Sequence, residues 1–384
     1  MQSIDILEQL IRFDTVSRNP NMALMGHIAS VLETAGIACT LLPDSTGNKA
    51  NLYATIGPGN LPGVMLSGHT DVVPIDNQDW TKPAFSLTET DGKLYGRGTC
   101  DMKGFVACAI KAALIANELD LKTPLHLAFS YDEEIGCIGV ASLIDLLHQA
   151  PVKPAMCIVG EPTLLSIATG HKGKIALRAT CTGSEAHSAL APTAVNAIHL
   201  GCDLVDAVRE VQSELAIKGN RDDAYDINYT TLHIGNFNAG TVLNIVPSTC
   251  IVDFEIRNIN ADNPNDLIKK IKQALAPSIN VARKIAPNAD IVIEPVFSYP
   301  GLETPTDAPI VDFVKGLTGG NTTCKVAFGT EGGLFSGSLG IPTVVCGPGS
   351  MQQGHKPDEY IEIEQMNRCD AMLESLLAQL ETGL

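Results

Sequence analysis

The chain has 384 residues, of which 45% are hydrophobic, and it carries a formal net charge of −17 at pH 7. This length predicts roughly two domains with room for a sizeable core, and the acidic balance disfavours nucleic acids and anionic membrane surfaces as partners. No apolar run approaches the roughly 18 to 20 residues of a membrane helix, and the N-terminal stretch "MQSIDILEQLIRF" lacks the basic start of a signal peptide. We therefore expect a cytoplasmic protein.

Strand-like and helical patterns alternate in the first part of the chain. The strand-like runs are "NLYATIG", "VMLSG", "LHLAFS" and "AMCIVG", and the helical ones are "GFVACAIKAALIANEL" and "GVASLIDLLHQA". Such alternation is typical of an α/β domain whose sheet is mixed but largely parallel. We therefore expect that fold class for this part of the chain.

A second α/β section follows "GHKGKIALRATCTG", and its elements run in the order β-α-β-β-α-β. This order predicts an inserted α+β domain of ferredoxin-like type. The chain then returns to its first character with a helix, the strand-like "IPTVVCGPG" and an amphipathic C-terminal helix. We expect a catalytic domain from residues 1–176 and 299–384, and an inserted domain from residues 177–298.

Eleven cysteines are scattered singly along the chain, without a CxxC pair. Most lie in apolar or small-residue settings such as "VACAI" and "TVVCG". In a long chain without a secretion signal, such cysteines are typical of reduced and mostly buried thiols. Because zinc-finger spacing is absent, histidines and carboxylates must hold any metal.

Histidines and acids follow the strand candidates of the first domain. Open α/β sheets bind ligands beyond the carboxyl ends of their strands, so residues at these ends converge even when they are distant in sequence. One further acid directly precedes a helix, in "GRGTCDMKG". The residues concerned are His69, Asp101, Glu133, Glu134, Glu161 and His355.

Two histidines with several carboxylates suit zinc, cobalt or manganese. One bridging carboxylate would hold two ions about 3.5–4 Å apart, and such a pair activates a water molecule. A free carboxylate must then accept the proton of that water, which explains why Glu133 and Glu134 are adjacent. Asp71, two residues after His69, is placed to accept the second N–H of the imidazole.

Each of these residues also has an ordinary structural interpretation. A single histidine after a strand is more often a turn residue, and Asp101 before a helix is by default an N-cap. Glu133 and Glu134 would also suit the first turn of a helix, and His355 an ordinary polar loop. The ordinary interpretations would all have to hold independently, although the residues fall at corresponding places in one domain. We therefore favour the metal interpretation.

The motifs "SGHTDVVP", "GRGTCDMKG", "DEEIG", "GEPT" and "GHKPDEYI" resemble the co-catalytic zinc amidohydrolases of the aminoacylase, carboxypeptidase and desuccinylase type. The resemblance extends in order over nearly the whole chain. It implies that His69 and Glu161 bind one metal, that Glu134 and His355 bind the other, and that Asp101 bridges them. It also implies Glu133 as the general base and acid, and two zinc ions for which cobalt can substitute.

The inserted domain carries further similarity to this family. "GSEAHSALAPTAVNAI" resembles its dimerisation segment, which implies a homodimer in which His187 stabilises the oxyanion in a neighbouring subunit. Asn244 and Arg257 match lid positions that bind the substrate carboxylate, and Gly329 and Thr330 in "GTEGG" are placed with them. Without the resemblance, His187 would be interpreted as a surface residue, Arg257 as a paired strand residue and the glycines as a turn.

Within the family, "GTEGGLF" and "GPGSMQQGHKPDEYIEIEQ" resemble enzymes that deacetylate N2-acetyl-L-ornithine in arginine biosynthesis. The alternatives are an N-succinyl-diaminopimelate, another N-acylamino acid or a dipeptide as substrate. The second glycine of "TEGG" often stands as alanine in the family, which concerns fine specificity. A non-catalytic metal-binding dimer is a further alternative, but it would not need the spare base Glu133. A nucleotide-dependent enzyme is set aside because GxGxxG, Walker and GxSxG motifs are absent.

Overall fold

The computed structural model describes residues 1–384, and the chain forms two compact units. The first unit comprises Met1–His171, Leu302–Val326 and Thr330–Leu384. The second unit comprises Lys172–Gly301 and Ala327–Gly329. The roles predicted for the two domains, catalysis for one and a lid with a dimer interface for the other, stay predictions. None of the helices is both long and apolar enough to span a membrane.

The main sheet of the first unit has nine strands. They are β1 (Cys39–Pro43), β2 (Ala50–Ile56), β3 (Val64–His69), β6 (Leu125–Ser130), β7 (Met156–Pro162), β8 (Ile167–His171), β13 (Leu302–Glu303), β14 (Thr323–Val326) and β15 (Thr343–Gly347). The order is β1-β2-β6-β3-β7-β15-β8-β13, with β14 beside β8. The neighbours β6-β3-β7-β15 pair in parallel and the edges are mostly antiparallel, which confirms the predicted mixed, largely parallel sheet.

Seven helices and a small three-stranded sheet complete the first unit. The helices are α1 (Ser3–Ile11), α2 (Met22–Thr34), α3 (Lys103–Ala116), α4 (Ala141–Gln149), α7 (Pro309–Thr318), α8 (Gly332–Leu339) and α9 (Ile363–Thr382). The small sheet consists of β4 (Thr88–Thr90), β5 (Lys93–Tyr95) and β16 (Tyr360–Glu362).

Every residue of β3 and β6 is buried, as expected for strands that are covered on both faces. One face of the sheet packs against a core that includes Phe105 and Val106 of α3. The other face packs against a core that includes Leu143 of α4 and Phe335 of α8. Because the parallel strands end together, His69 lies at the end of β3 beside Ser130 at the end of β6.

The second unit is an antiparallel sheet with helices on one face. Its elements are β9 (Gly173–Thr182), a 3₁₀ helix (Ser188–Thr193), α5 (Ala197–Lys218), β10 (Thr231–Ala239), β11 (Thr249–Asn258), α6 (Pro264–Arg283) and β12 (Asp290–Tyr299). The strand order β10-β11-β9-β12 is that of a ferredoxin-like fold, as predicted. Val252, Phe254 and Ile256 belong to the core of this unit, so the alternating residues of β11 point away from it.

Candidate metal centre

The two predicted histidines of the first unit meet at one carboxylate, that of Asp101. The Nε2 atom of His69 lies 3.0 Å from Asp101 Oδ1, and the Nε2 atom of His355 lies 3.0 Å from Asp101 Oδ2. Each oxygen of Asp101 therefore faces a different imidazole. Asp101 lies in the segment directly before α3. The peptide bond between Asp101 and Met102 is cis.

Each histidine also faces a second acid. His69 Nε2 lies 3.7 Å from Glu161 Oε1, and His355 Nε2 lies 3.1 Å from Glu134 Oε2. The arrangement is therefore a chain of side chains in which Asp101 is central. Four of the five residues lie at strand ends or in the loops that follow them, and Asp101 lies just ahead of α3, as the sequence predicts.

The alternative interpretations of the acids as helix caps are wrong. The N-cap of α3 is Met102, and no side chain caps that helix end. Glu133 and Glu134 lie in a loop well before α4, which begins at Ala141. Their positions therefore serve the cluster and not a helix terminus.

Asp71 fixes the adjacent glutamates through their backbone. Its Oδ1 accepts a hydrogen bond from the N–H of Glu133 at 3.1 Å, and its Oδ2 accepts one from the N–H of Glu134 at 3.2 Å. Ser17 donates its hydroxyl to Oδ2 at 2.7 Å. The Nδ1 atom of His69 is 2.9 Å from the main-chain oxygen of Asp71 but 3.5 Å from its carboxylate. The carbonyl is thus the closer partner of the imidazole, and the carboxylate mainly holds the loop.

The charges of the cluster are poorly compensated by the protein alone. Burial raises the pKa values of Glu133 and Glu161 well above the ordinary range, and it raises the pKa of Glu134 to about 7. Nearby carboxylates act in the same direction as burial. The ion-pair partners of Glu161 and Glu134 are imidazoles, with no lysine or arginine among them. Like charges buried together are costly without a cation, so this donor set fits divalent ions.

For the two histidines and Asp101, the effect of charged and hydrogen-bonded partners on the pKa outweighs that of burial. Hydrogen bonds with Asp101 and Glu134 raise the pKa of His355 to about 10. Burial alone would lower the pKa of His69, but hydrogen bonds with Asp101 and Asp71 raise it well above its ordinary value. Burial alone would raise the pKa of Asp101, yet both imidazoles lower it. The two imidazoles are therefore the groups that favour the ionised form of Asp101 in the metal-free protein.

Two groups of residues bring their ligand atoms within 4.8 Å of one another: His69 with Glu133 and Glu161, and His69 with Asp101 and Glu134. Oxygen and imidazole nitrogen atoms are suited to zinc and to neighbouring divalent metals. The structure therefore supports a candidate metal centre with Asp101 in its middle.

Sequence reasoning missed two charged residues beside the centre. Lys49 forms an ion pair of 2.6 Å with Asp132, the acid that precedes Glu133. Glu331 is buried, its Oε1 has no hydrogen-bond partner, and burial raises its pKa to about 7. An acid between glycines in "GTEGG" was the available signal for Glu331.

His187 and Asn244 of the second unit are exposed. His187 directly precedes the 3₁₀ helix, and its Nδ1 accepts a hydrogen bond from the N–H of Ala189 at 3.1 Å. The main-chain oxygen of Asn244 accepts the N–H of Ser188 at 3.0 Å. The two predicted residues therefore lie on adjoining segments of the same unit.

Arg257 points to the face of the second unit's sheet that lies opposite the helices. Its Nε donates to Glu255 at 2.7 Å. Burial would lower the pKa of Arg257, but Glu255 and then Tyr299 raise it. In the same unit, a Cβ atom at Gly329 would lie 2.2 Å from the ring of Tyr299, so any side chain there would have to displace the tyrosine. Thr330, in the first unit, is buried and accepts the N–H of Gly332 at 3.0 Å.

Comparison with known proteins decides the family. A profile of Peptidase family M20/M25/M40 matches residues 65–379. The chain is 34% identical over 367 residues to the acetylornithine deacetylase of Proteus mirabilis (strain HI4320), covering 94% of this chain and 92% of that protein. The chain belongs to peptidase family M20/M25/M40. The resemblance of its motifs is thereby confirmed.

Solved structures of M20 proteins have the same fold. The metallo-carboxypeptidase Sso-CP2 of Sulfolobus solfataricus superposes with a TM-score of 0.80 at 18% identity, covering 100% of both chains. The Bacillus subtilis protein YXEP, described as a dinuclear metal binding peptidase, gives a TM-score of 0.68 at 16% identity, covering 99% of this chain and 98% of that one. These likenesses confirm the predicted fold class.

Membership of the M20/M25/M40 family makes the chain a metal-dependent amidohydrolase, as its motifs predicted. The alternative of a non-catalytic metal-binding protein is therefore wrong.

Proposed function

We propose that this enzyme hydrolyses the amide of N2-acetyl-L-ornithine to acetate and L-ornithine, in the cytoplasm and as a step of arginine biosynthesis. The observation that carries the proposal is the 34% identity to a deacetylase of that name over nearly the full length of both chains. The motifs around Glu331 and His355 support it.

The proposed centre holds two zinc ions, for which cobalt can substitute. His69 and Glu161 would hold one ion, Glu134 and His355 would hold the other, and Asp101 would be shared by the two. The distances of 3.0 Å from each oxygen of Asp101 to a different imidazole support the bridging position. Bound divalent ions supply Lewis-acid activation of the amide carbonyl and of water.

Glu133 is the residue proposed to move protons. It forms no ion pair, and Cys137 Sγ donates to its Oε1 at 3.3 Å. Asp71 holds its backbone in place. Glu133 takes a proton from the attacking water and passes it to the nitrogen of the departing ornithine. Burial raises the pKa of Glu133 above that of an exposed glutamate, so its carboxylate holds a proton more readily than an exposed one does.

The second unit supplies the remaining groups of the proposal. His187 donates a hydrogen bond to the oxyanion that forms at the acetyl carbon. Arg257 and Asn244 bind the substrate carboxylate, together with backbone at Gly329 and at Thr330, which belongs to the first unit. Following the resemblance, the enzyme works as a homodimer through this unit, and His187 serves a neighbouring subunit.

The decisive experiment measures acetate release from N2-acetyl-L-ornithine by chelator-stripped protein, with and without added zinc or cobalt. We expect turnover only with metal. N-succinyl-L,L-diaminopimelate and a dipeptide are assayed in parallel at equal concentrations. Faster turnover of either competitor would overturn the acetylornithine assignment and leave the amidohydrolase chemistry intact.

The homodimer is tested by sedimentation of the active enzyme. We expect activity to fall with the dimer fraction on dilution. A fully active monomer would overturn the proposed role of His187 across subunits.

A further inference from the structure

A buried carboxylate, that of Glu359, holds the segment that carries Asp101. Its Oε1 accepts hydrogen bonds from the N–H groups of Gly98 at 3.1 Å, Cys100 at 2.9 Å and Asp101 at 3.0 Å. The residue is 1% exposed. Glu359 follows His355 by four positions, in "HKPDEY". One side chain from the His355 segment therefore fixes the backbone of the Asp101 segment.

The other oxygen of Glu359 pairs with a buried arginine. Arg97 Nη1 lies 2.6 Å from Glu359 Oε2, and both side chains are about 1% exposed. Arg97 Nη2 donates to Gln78 Oε1 at 2.6 Å, and Gln78 Nε2 donates to the main-chain oxygen of His355 at 3.1 Å. The contacts therefore run in a closed path from Asp101 through Glu359, Arg97 and Gln78 to His355.

This network has a physical reason to be rigid. A carboxylate that accepts several backbone N–H groups and an arginine uses charge-assisted hydrogen bonds, which are shorter and stronger than neutral ones. Loss of one partner of a buried ion pair leaves an uncompensated charge, so the pair resists displacement.

An ordinary stabilising ion pair would not need to contact both segments of the centre. Here the contacted groups are the N–H of Asp101 itself and the carbonyl of His355 itself. These are the two residues whose side chains face each other at 3.0 Å. The network therefore restrains the relative position of Asp101 and His355 through their backbones.

We propose that Glu359, paired with Arg97, is a positioning residue that sets the separation of Asp101 and His355 and so preorganises the metal centre. The inference rests on the proposed metal site. Glu359 itself touches neither the ligand side chains nor the substrate. Its effect on the reaction passes through the geometry of Asp101 and His355.

The test measures metal binding directly, without any assay of hydrolysis. Chelator-stripped Glu359→Gln is titrated with cobalt by calorimetry and by the visible absorption of the bound ion. Glutamine keeps an oxygen for the three N–H groups but presents an amide to Arg97. Outer-shell changes of this kind typically weaken metal binding about 10- to 100-fold, and we expect that loss together with an altered cobalt spectrum.

Glu362→Gln is the matched control. It makes the same chemical change three positions along, at an exposed residue that caps no helix through its side chain. We expect it to bind cobalt like the wild type. Wild-type affinity and spectrum in Glu359→Gln would overturn the inference, whereas a wild type that binds no metal would overturn the proposed metal site.

A second measurement uses the wild type alone, so it does not depend on whether a variant folds. Hydrogen exchange is followed at the amides of Gly98, Cys100 and Asp101 in metal-free protein. We expect slow exchange, comparable to amides of β3, because all three donate to a buried carboxylate. Exchange as fast as that of an exposed loop would overturn the inference.

Discussion

The predicted functional residues of the two units differ in how they are held. In the first unit, His69, Asp101 and Glu161 are buried, the imidazole of His69 faces both carboxylates, and only His355 at the edge of the centre is exposed. In the second unit, His187 and Asn244 are exposed, and their hydrogen bonds involve neighbouring backbone. A metal centre gains from being fixed before the ion arrives, because ions require a narrow geometry. Groups that bind a substrate must remain accessible to it.

This comparison separates two functions that a single activity measurement would mix. Substitutions in the buried centre should alter metal binding, proton transfer or both. Substitutions of the exposed residues should alter turnover or substrate affinity while metal binding stays constant. Each variant below is therefore assayed for metal content as well as for hydrolysis.

The largest effect is expected for Glu133→Gln. Glu133 lies in the centre but is proposed as the base and not as a metal ligand. The amide cannot accept the proton of water, so kcat should fall about 10²- to 10⁴-fold. Metal content should equal that of the wild type, since Glu134 and Glu161 remain. A kcat within a few-fold of the wild type would remove Glu133 from its assigned role.

His187→Ala should give the next largest effect and no change in metal content. Loss of one oxyanion donor typically lowers kcat about 10²- to 10³-fold. His199→Ala is the matched control, because His199 is an exposed histidine of the same unit and no role is assigned to it. Equal losses in the two variants would show that His187 has no specific part in the reaction.

The sequence predicted the parts of the centre that depend on strand ends. β3, β6 and β7 end together because they are parallel and adjacent, so residues such as His69 and Glu161 converge by topology. The pattern also predicted the ferredoxin-like second unit. Both follow from local periodicity and from general rules of chain connection.

The partners that come from distant segments could not be predicted. Lys49 pairs with Asp132, and Glu359 binds the backbone at Gly98, through contacts that no local pattern encodes. The lone acid Glu331 appeared in the sequence only as part of a glycine-rich turn. Glu331 and Glu359 matter because they are buried, and burial is difficult to predict from a single sequence.

Arg257→Lys tests the substrate side of the comparison with a smaller expected effect. Lysine keeps the charge but loses the planar fork that grips a carboxylate. Loss of a charged hydrogen bond costs about 1.5–3 kcal/mol, so kcat/KM should fall about 10- to 100-fold, mainly through KM. Arg178→Lys is the control, since Arg178 pairs with Asp253 in the same sheet and has no assigned role. A similar loss in both variants would indicate a general effect on the sheet.

The smallest effect is expected on the stability of the metal-free protein. Its dependence on pH tests whether protons bound by the centre stabilise the fold. The pKa of Glu134 is raised from 4.5 to about 7, and that of His355 from 6.5 to about 10. Between pH 4.5 and about 7 the folded protein holds a proton on Glu134 that the unfolded chain has already released, and between pH 6.5 and about 10 it holds one on His355. Stability should therefore fall as pH rises through this window.

The measurement is the urea midpoint of chelator-stripped protein across that pH range, for the wild type and for His355→Gln. Replacing His355 removes its proton from the balance, so the decline above pH 6.5 should become shallower. His199→Gln should leave the slope unchanged. A midpoint that rises with pH, or an equal slope in both variants, would contradict a protonated His355 that holds the empty cluster together. A shallower slope only in His355→Gln would show that the proton on His355 stabilises the metal-free centre, a contribution that the exposed His199 of the second unit does not make.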